Sequence, residues 1–173
     1  MGRLEQAEAL LRKAVALREG LLAERPARAI RGQLAHSWIN LGAVLRARRQ
    51  PAAAEAAIRN ALAVSAVAAE PVPGPPALVS DQRVRAQAFN NLAIVLREQG
   101  RSADAETAHR ESVAIKEKVA ATYPSVPLYR QELARAYQNL GVIRSDLGRP
   151  EQAQEVYEKS IAAYELSLIH ISE

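Results

Sequence analysis

Residues 137–160 read Y-Q-N-L-G-V-I-R-S-D-L-G-R-P-E-Q-A-Q-E-V-Y-E-K-S, and this stretch decides the fold because the chain repeats it. Residues Trp38 to Ala61 and Phe89 to Ser112 align with it without gaps. A partial copy, Gly2 to Ala14, matches only its second half. Equivalent residues measure the period. Gly42, Ala93 and Gly141 lie 51 and 48 residues apart, and Gly2, Arg49, Gly100 and Gly148 lie 47, 51 and 48 apart. Self-similarity at a nearly fixed period implies one structural unit per copy. The surplus in the middle spacing falls in P71-V-P-G-P-P76, which reads as a semi-rigid loop because length variation belongs in loops.

Composition says what each unit is made of. Of 173 residues 35 are alanine, 49% are apolar and only 4% are aromatic. That balance favours helix and argues against a sheet-centred fold. The absence of cysteine excludes disulfides, thiolate zinc sites and a cysteine nucleophile. A formal charge of +4 is spread along the chain, so nucleic-acid binding is not expected. No apolar run approaches the roughly 20 residues of a membrane span. The charged N-terminal stretch lacks the apolar core of a signal peptide. The expectation is an all-α, cytoplasmic chain with no membrane contact.

Each unit reads as two helices. The first helices are expected near Arg28–Arg48, Asp81–Gln99 and Leu128–Leu147. The second are expected near Pro51–Glu70, Ser102–Thr122 and Pro150–Leu168, with Leu4–Glu24 as a second helix lacking its first. Gly100 and Gly148 suit the left-handed residue that ends a helix. Pro51 and Pro150 suit a first helical turn. Ser102, and more weakly Ser80, suit N-caps, and Pro26, Pro76, Pro124 and Pro127 lead out of one unit into the next.

These residues resemble the tetratricopeptide repeat. Trp38, Phe89 and Tyr137 take the first aromatic place of that motif. Leu41-Gly42, Leu92-Ala93 and Leu140-Gly141 take the Leu-small pair, and Gly2, Gly100 and Gly148 the turn glycine. Ala7, Ala54, Ala105 and Ala153 take the close-packing alanine. Leu11, Ile58, His109 and Tyr157 take the second large place, and Ala14, Ala61, Ser112 and Ser160 the final small one. Arg49, His109 and Arg144 depart from the pattern. The units exceed the common 34 residues, which is similar to the extended repeats of kinesin light chains and of bacterial serine/threonine kinase tails. The resemblance implies a right-handed α-solenoid of antiparallel helix pairs. The array would be a half unit at 1–27 and full units at 28–75, 76–123 and 124–165.

First helices line the concave face of such a solenoid. Asn40, Asn91 and Asn139 recur at one place, although asparagine is a poor helix-interior residue. In the resembling family an asparagine here bonds the backbone of an extended peptide, and an amide offers both donor and acceptor for that. An inter-helix bond is the alternative. Helical spacing adds His36, Gln87 and Arg135 on one side, and Ala43, Ile94 and Val142 on the other. Arg46 and Arg97 lie further along, and Asn90 and Gln138 flank the asparagines. The family's carboxylate clamp is only partly matched, since Arg135 supplies one cation and Asn139 is not the second.

Catalytic signatures are missing: no phosphate loop, zinc-protease motif or nucleophile elbow occurs. His36, His109 and His170 lack carboxylates at ligand spacing, and His109 reads as packed in a repeat core. No enzyme activity, cofactor or metal is expected. The tail L166-S-L-I-H-I-S-E173 resembles translated sequencing-adapter read-through on metagenomic open reading frames, so 166–173 is expected to be non-native and the chain a fragment, of bacterial type. Its uncapped ends would allow weak self-association. The function expected is a non-catalytic scaffold holding a peptide or partner helix. A ligand-free spacer in a larger enzyme, such as a kinase, is the alternative, and a nucleic-acid-binding helical repeat a lesser one.

Overall fold

In a computed structural model, residues 2–66 and 75–169 are described, with side chains described throughout except at 75–78 and 168–169. They form seven helices: α1 (Gly2–Glu24), α2 (Arg28–Ala47), α3 (Pro51–Ala66), α4 (Pro75–Glu98), α5 (Ser102–Thr122), α6 (Pro127–Asp146) and α7 (Pro150–Ile169). The architecture is an all-α solenoid. α2 packs chiefly on α3, α4 on α5 and α6 on α7, and α1, α3 and α5 each pack on the helix that follows.

Two details of the sequence reading are corrected. α4 begins at Pro75, not at Asp81, so Pro75 and Pro76 open a helix and Ser80 lies inside it. Proline fits a first helical turn because its fixed φ is already helical and its absent N–H would have had no partner there. The N-cap of α5 is Arg101, without a side-chain cap bond, and Ser102 is the first helical residue. The remainder of the proline-rich loop and of the expected helix to Glu70 lies outside the described residues.

The turn inside each hairpin is one motif built three times. Arg49, Gly100 and Gly148 have φ of 59°, 77° and 69°. Their N–H groups donate to the carbonyls of Arg46, Arg97 and Ser145, and the next residues, Gln50, Arg101 and Arg149, donate to Leu45, Leu96 and Arg144. This double bond pattern satisfies carbonyls that a helix end would leave open. Arg49 therefore adopts the glycine conformation without being glycine.

Inside each hairpin a small residue on the first helix meets a large one on the second. A Cβ at Gly42 would stand 2.6 Å from Ile58 Cγ1, and one at Gly141 would stand 2.7 Å from Tyr157 Cζ. Ala54, Ala105 and Ala153 are exposed by 2% or less. A hydroxyl adds a polar lock in two units: Ser112 donates to the Ala86 carbonyl and Ser160 to the Ala134 carbonyl, both at 2.8 Å. Each such buried bond contributes about 1 kcal/mol.

Between units the joint is electrostatic as well as apolar. Glu8, Glu55 and Glu106 stand at equivalent places after the close-packing alanine. Each accepts an arginine at the next unit's turn: Arg48 on Glu8, Arg101 on Glu55 at 3.0 Å, and Arg149 on Glu106 at 2.8 Å. Burial works against ionisation of Glu55, yet Arg59 and Arg101 hold its carboxyl below the ordinary value. Arg144 pairs with the same Glu106 at 3.2 Å, which explains its tolerance at an otherwise apolar place.

His109, at the large-residue place of its unit, is 2% exposed and its Nδ1 has no hydrogen-bond partner. Burial, with help from the charges of Lys116 and Arg97, lowers its pKa from 6.5 to about 4. The unfolded chain thus binds more protons than the folded one between those values. The penalty that protonation of this group places on the folded state is absent above pH 6.5 and grows as pH drops toward 4.

Two measurements check this account. Urea denaturation at pH 7 and pH 5 is expected to show a loss of about 2 kcal/mol on acidification, and His109→Leu is expected to flatten that difference. Gly148→Ala is expected to destabilise by about 1 kcal/mol, because it puts a Cβ at positive φ, whereas Arg49→Gly is expected to cost nothing. A destabilised Arg49→Gly variant would show that the side chain, not the backbone, matters there.

Candidate functional site

The first helices α2, α4 and α6 follow one another along one face, with α2 packed on α4. Arginine–carboxylate pairs tie them together across that face. Arg28 binds Asp81 and Arg83 binds Glu132 near the helix starts. Arg46 binds Glu98 at 2.6 Å, and Arg97, at the equivalent place one unit on, binds Asp146 at 3.6 Å near the helix ends.

A cavity of about 470 Å³ opens between the rows, lined from α2 by His36, from α4 by Ser80, Arg83, Val84, Gln87 and Asn90, from α5 by Lys116, and from α6 by Glu132, Arg135 and Asn139. Asn139 donates its amide to Asn90 Oδ1 at 3.0 Å, joining α6 to α4 on the cavity wall. Both amides retain capacity for a ligand, since each has two donors and an acceptor.

Charge in this cavity is one-sided. Its single carboxylate, Glu132, is taken by Arg83 through Nε at 3.1 Å and Nη2. Among the described residues Arg135 makes no ion pair, and Lys116 Nζ reaches only the Glu132 carbonyl, at 3.3 Å. Burial pushes the Lys116 pKa below its ordinary value. The Glu132 charge opposes this, and Arg135 and Arg83 reinforce it. Two cations therefore face the space with no carboxylate of their own.

The residues singled out in the sequence distribute over several places. His36, Gln87, Asn90, Arg135 and Asn139 meet in this cavity. Asn91, Ala43, Arg46 and Ile94 line a separate crevice of about 40 Å³ under Gly42 and Ile58, with room for about one water-sized group. Asn40 lines a cleft between α1 and α2. Gln138, Val142 and Arg97 are exposed outside these cavities. The three equivalent asparagines thus line three pockets, two of which adjoin at His36.

Sequence reasoning missed Ser80, Arg83, Val84, Lys116 and Glu132. Four of them lie one or two turns before Gln87 or Arg135, so helical spacing already contained them. Lys116 lies on a second helix, and a reading confined to first helices could not reach it. Its signal is the equivalent place in α1, which also holds a cation, Arg18.

A second cavity of about 500 Å³ lies between α5, α6 and α7. Its Arg110, Arg144 and Lys159 stand against Glu111, Glu117 and Glu155, so it carries no excess charge. There Tyr137 donates to Glu117 at 2.5 Å, and burial together with that bond raises the phenol pKa well above its ordinary value. Among the described residues no group of three His, Asp or Glu side chains is placed to hold a metal ion. No described helix is long and apolar enough to cross a membrane.

Comparison with known protein families covers parts of two of the helix pairs. Residues 85–120 and 134–165 each match a family model described as tetratricopeptide repeat. BtubC (BKLC) from P. vanneervenii is 14% identical over 92% of this chain and 90% of its own, with a TM-score of 0.36. MamA is 16% identical over 95% of each chain, with a TM-score of 0.37. No curated protein matches in sequence.

Proposed function

This chain is a tetratricopeptide-repeat protein, and we propose that its concave cavity holds an extended, acidic segment of a partner protein. Repeats of this kind serve as protein–protein interaction scaffolds and are generally non-catalytic. The observation that carries the finer reading is the pair of uncompensated cations, Lys116 and Arg135, beside the Asn90–Asn139 amides. A carboxylate side chain of the segment meets the cations. The segment's peptide groups meet the amides, which serve main-chain donors and acceptors alike. Lys116 gains more from such a partner than a surface cation does, because it is already largely withdrawn from water. Affinity is expected in the micromolar range, about −8 kcal/mol.

The test is a peptide array rich in extended acidic sequences, followed by fluorescence anisotropy on the best binders. Lys116→Met and Arg135→Gln are each expected to weaken binding about tenfold, or about 1.4 kcal/mol. Asn139→Ala is expected to weaken it less. Peptides amidated at the C-terminus are expected to bind as well as free acids, because a side chain supplies the charge. If acidic peptides bind no better than neutral ones, or bind the Arg135→Gln protein equally, the reading is wrong. Oligonucleotide binding with a steep salt dependence would replace it by the nucleic-acid alternative.

A further inference from the structure

The chain has four lysines, so one kind of amine can be compared in four surroundings. Lys13 and Lys118 are exposed. Lys159 is exposed too and is held by Glu155 at 2.7 Å. Lys116 alone is half-buried, and among the described residues no carboxylate reaches it: its Nζ donates only to the Glu132 main-chain carbonyl, at 3.3 Å. The equivalent places in the other second helices hold Arg18, Ser65 and Tyr164, so this amine belongs to one unit.

Its surroundings are set by the stacking of three helices. Lys116 comes from α5 and lines the 470 Å³ cavity together with Arg83 from α4 and Arg135 from α6. Arg83 is taken by Glu132, whereas Arg135 makes no ion pair among the described residues. An ammonium ion is not a nucleophile, and the neutral amine is. Burial lowers the Lys116 pKa. The Glu132 charge opposes this, and Arg135 and Arg83 reinforce it, so more of this amine is neutral near pH 7 than of an ordinary lysine. The Arg135 guanidinium keeps its charge at any such pH and is a ready donor to an oxyanion. A nucleophile and an oxyanion donor therefore share one open space.

We infer that Lys116 is a site of covalent acylation by small acyl phosphates. The Nζ lone pair attacks the acyl carbon. The new C–N bond forms as the bond from that carbon to the phosphate oxygen breaks. The phosphate leaves with the electron pair of the broken bond, beside Arg135, and the proton released from Nζ goes to water. The anionic leaving group is what favours an acyl phosphate over a neutral ester, because Arg135 can hold the one and has no charge to hold in the other. The product is an uncharged amide. It removes one of the two cations on which the acidic-segment reading rests, so acylation would switch that binding off. This consequence rests on the proposed function, and the acylation itself does not.

The experiment incubates the full chain with acetyl phosphate at neutral pH and follows each lysine by tandem mass spectrometry, which separates Lys116 from Lys118. Lys116 is expected to react at least tenfold faster than Lys13, Lys118 or Lys159. Inorganic phosphate is expected to slow Lys116 and to leave the other three unchanged. Arg135→Gln, with its helical circular dichroism intact, is expected to lose most of the advantage. p-Nitrophenyl acetate, a neutral donor, is expected to give Lys116 a smaller advantage than acetyl phosphate does. A Lys116 that reacts no faster than Lys13 would overturn the inference. So would an equal advantage with the neutral ester, or an Arg135→Gln protein that reacts unchanged. Acidic-peptide binding by the acetylated chain is read separately. Binding retained with Lys116 fully acetylated would overturn the acidic-segment reading and leave the acylation standing.

Discussion

The whole structure depends on how closely two helices of a hairpin approach each other. Gly42 over Ile58 and Gly141 over Tyr157 set that distance, and Ala54, Ala105 and Ala153 permit it from the other side. A methyl group at either glycine would have to displace the neighbouring side chain, and overpacked cores lose stability or shift backbone. Because the crossing is repeated, a small error in one hairpin would be carried into the placement of the next. The positive-φ turn at Arg49, Gly100 and Gly148 belongs to the same constraint. It returns the chain sharply enough for the second helix to lie against the first.

Given that hairpin, the charges do two different jobs. Glu8, Glu55 and Glu106 collect arginines from the following unit's turn and so pin one unit to the next. On the face where first helices align, Arg46–Glu98 and Arg97–Asp146 pair at the rim and are exposed, so each contributes little to stability. Nearer the middle of the helices the pairing is incomplete, and half-buried Lys116 and exposed Arg135 are left facing open space. Recognition would occur where the ladder of pairs is interrupted.

The histidine at position 109 shows the reverse compromise. The place calls for bulk, and the imidazole supplies it at the expense of a buried nitrogen without a partner. Its lowered pKa follows from that burial and not from any site chemistry. The same place in α1, Leu11, is apolar but only half covered. Identical repeat positions thus acquire different physical roles from what lies over them.

Much of the fold was legible in the chain itself. Gapless recurrence of an aromatic, a Leu-small pair and a turn residue specified helix pairs, because small and large residues at fixed helical spacing can be satisfied only by close antiparallel crossing. Residue order also placed His109 in a core. It misplaced the start of α4, because proline reads equally as a loop residue and as a first helical turn. The site was legible only in part. Three asparagines at one repeat position looked like a ladder, yet Asn40, Asn91 and Asn139 open onto three different spaces, and Asn139 is bonded to Asn90. Period and spacing are properties of one helix pair, and the linear order of residues determines them. Which side chains meet across units, as Lys116 meets Arg135, depends on the offset between neighbouring hairpins. That offset arises only when the units are stacked in three dimensions.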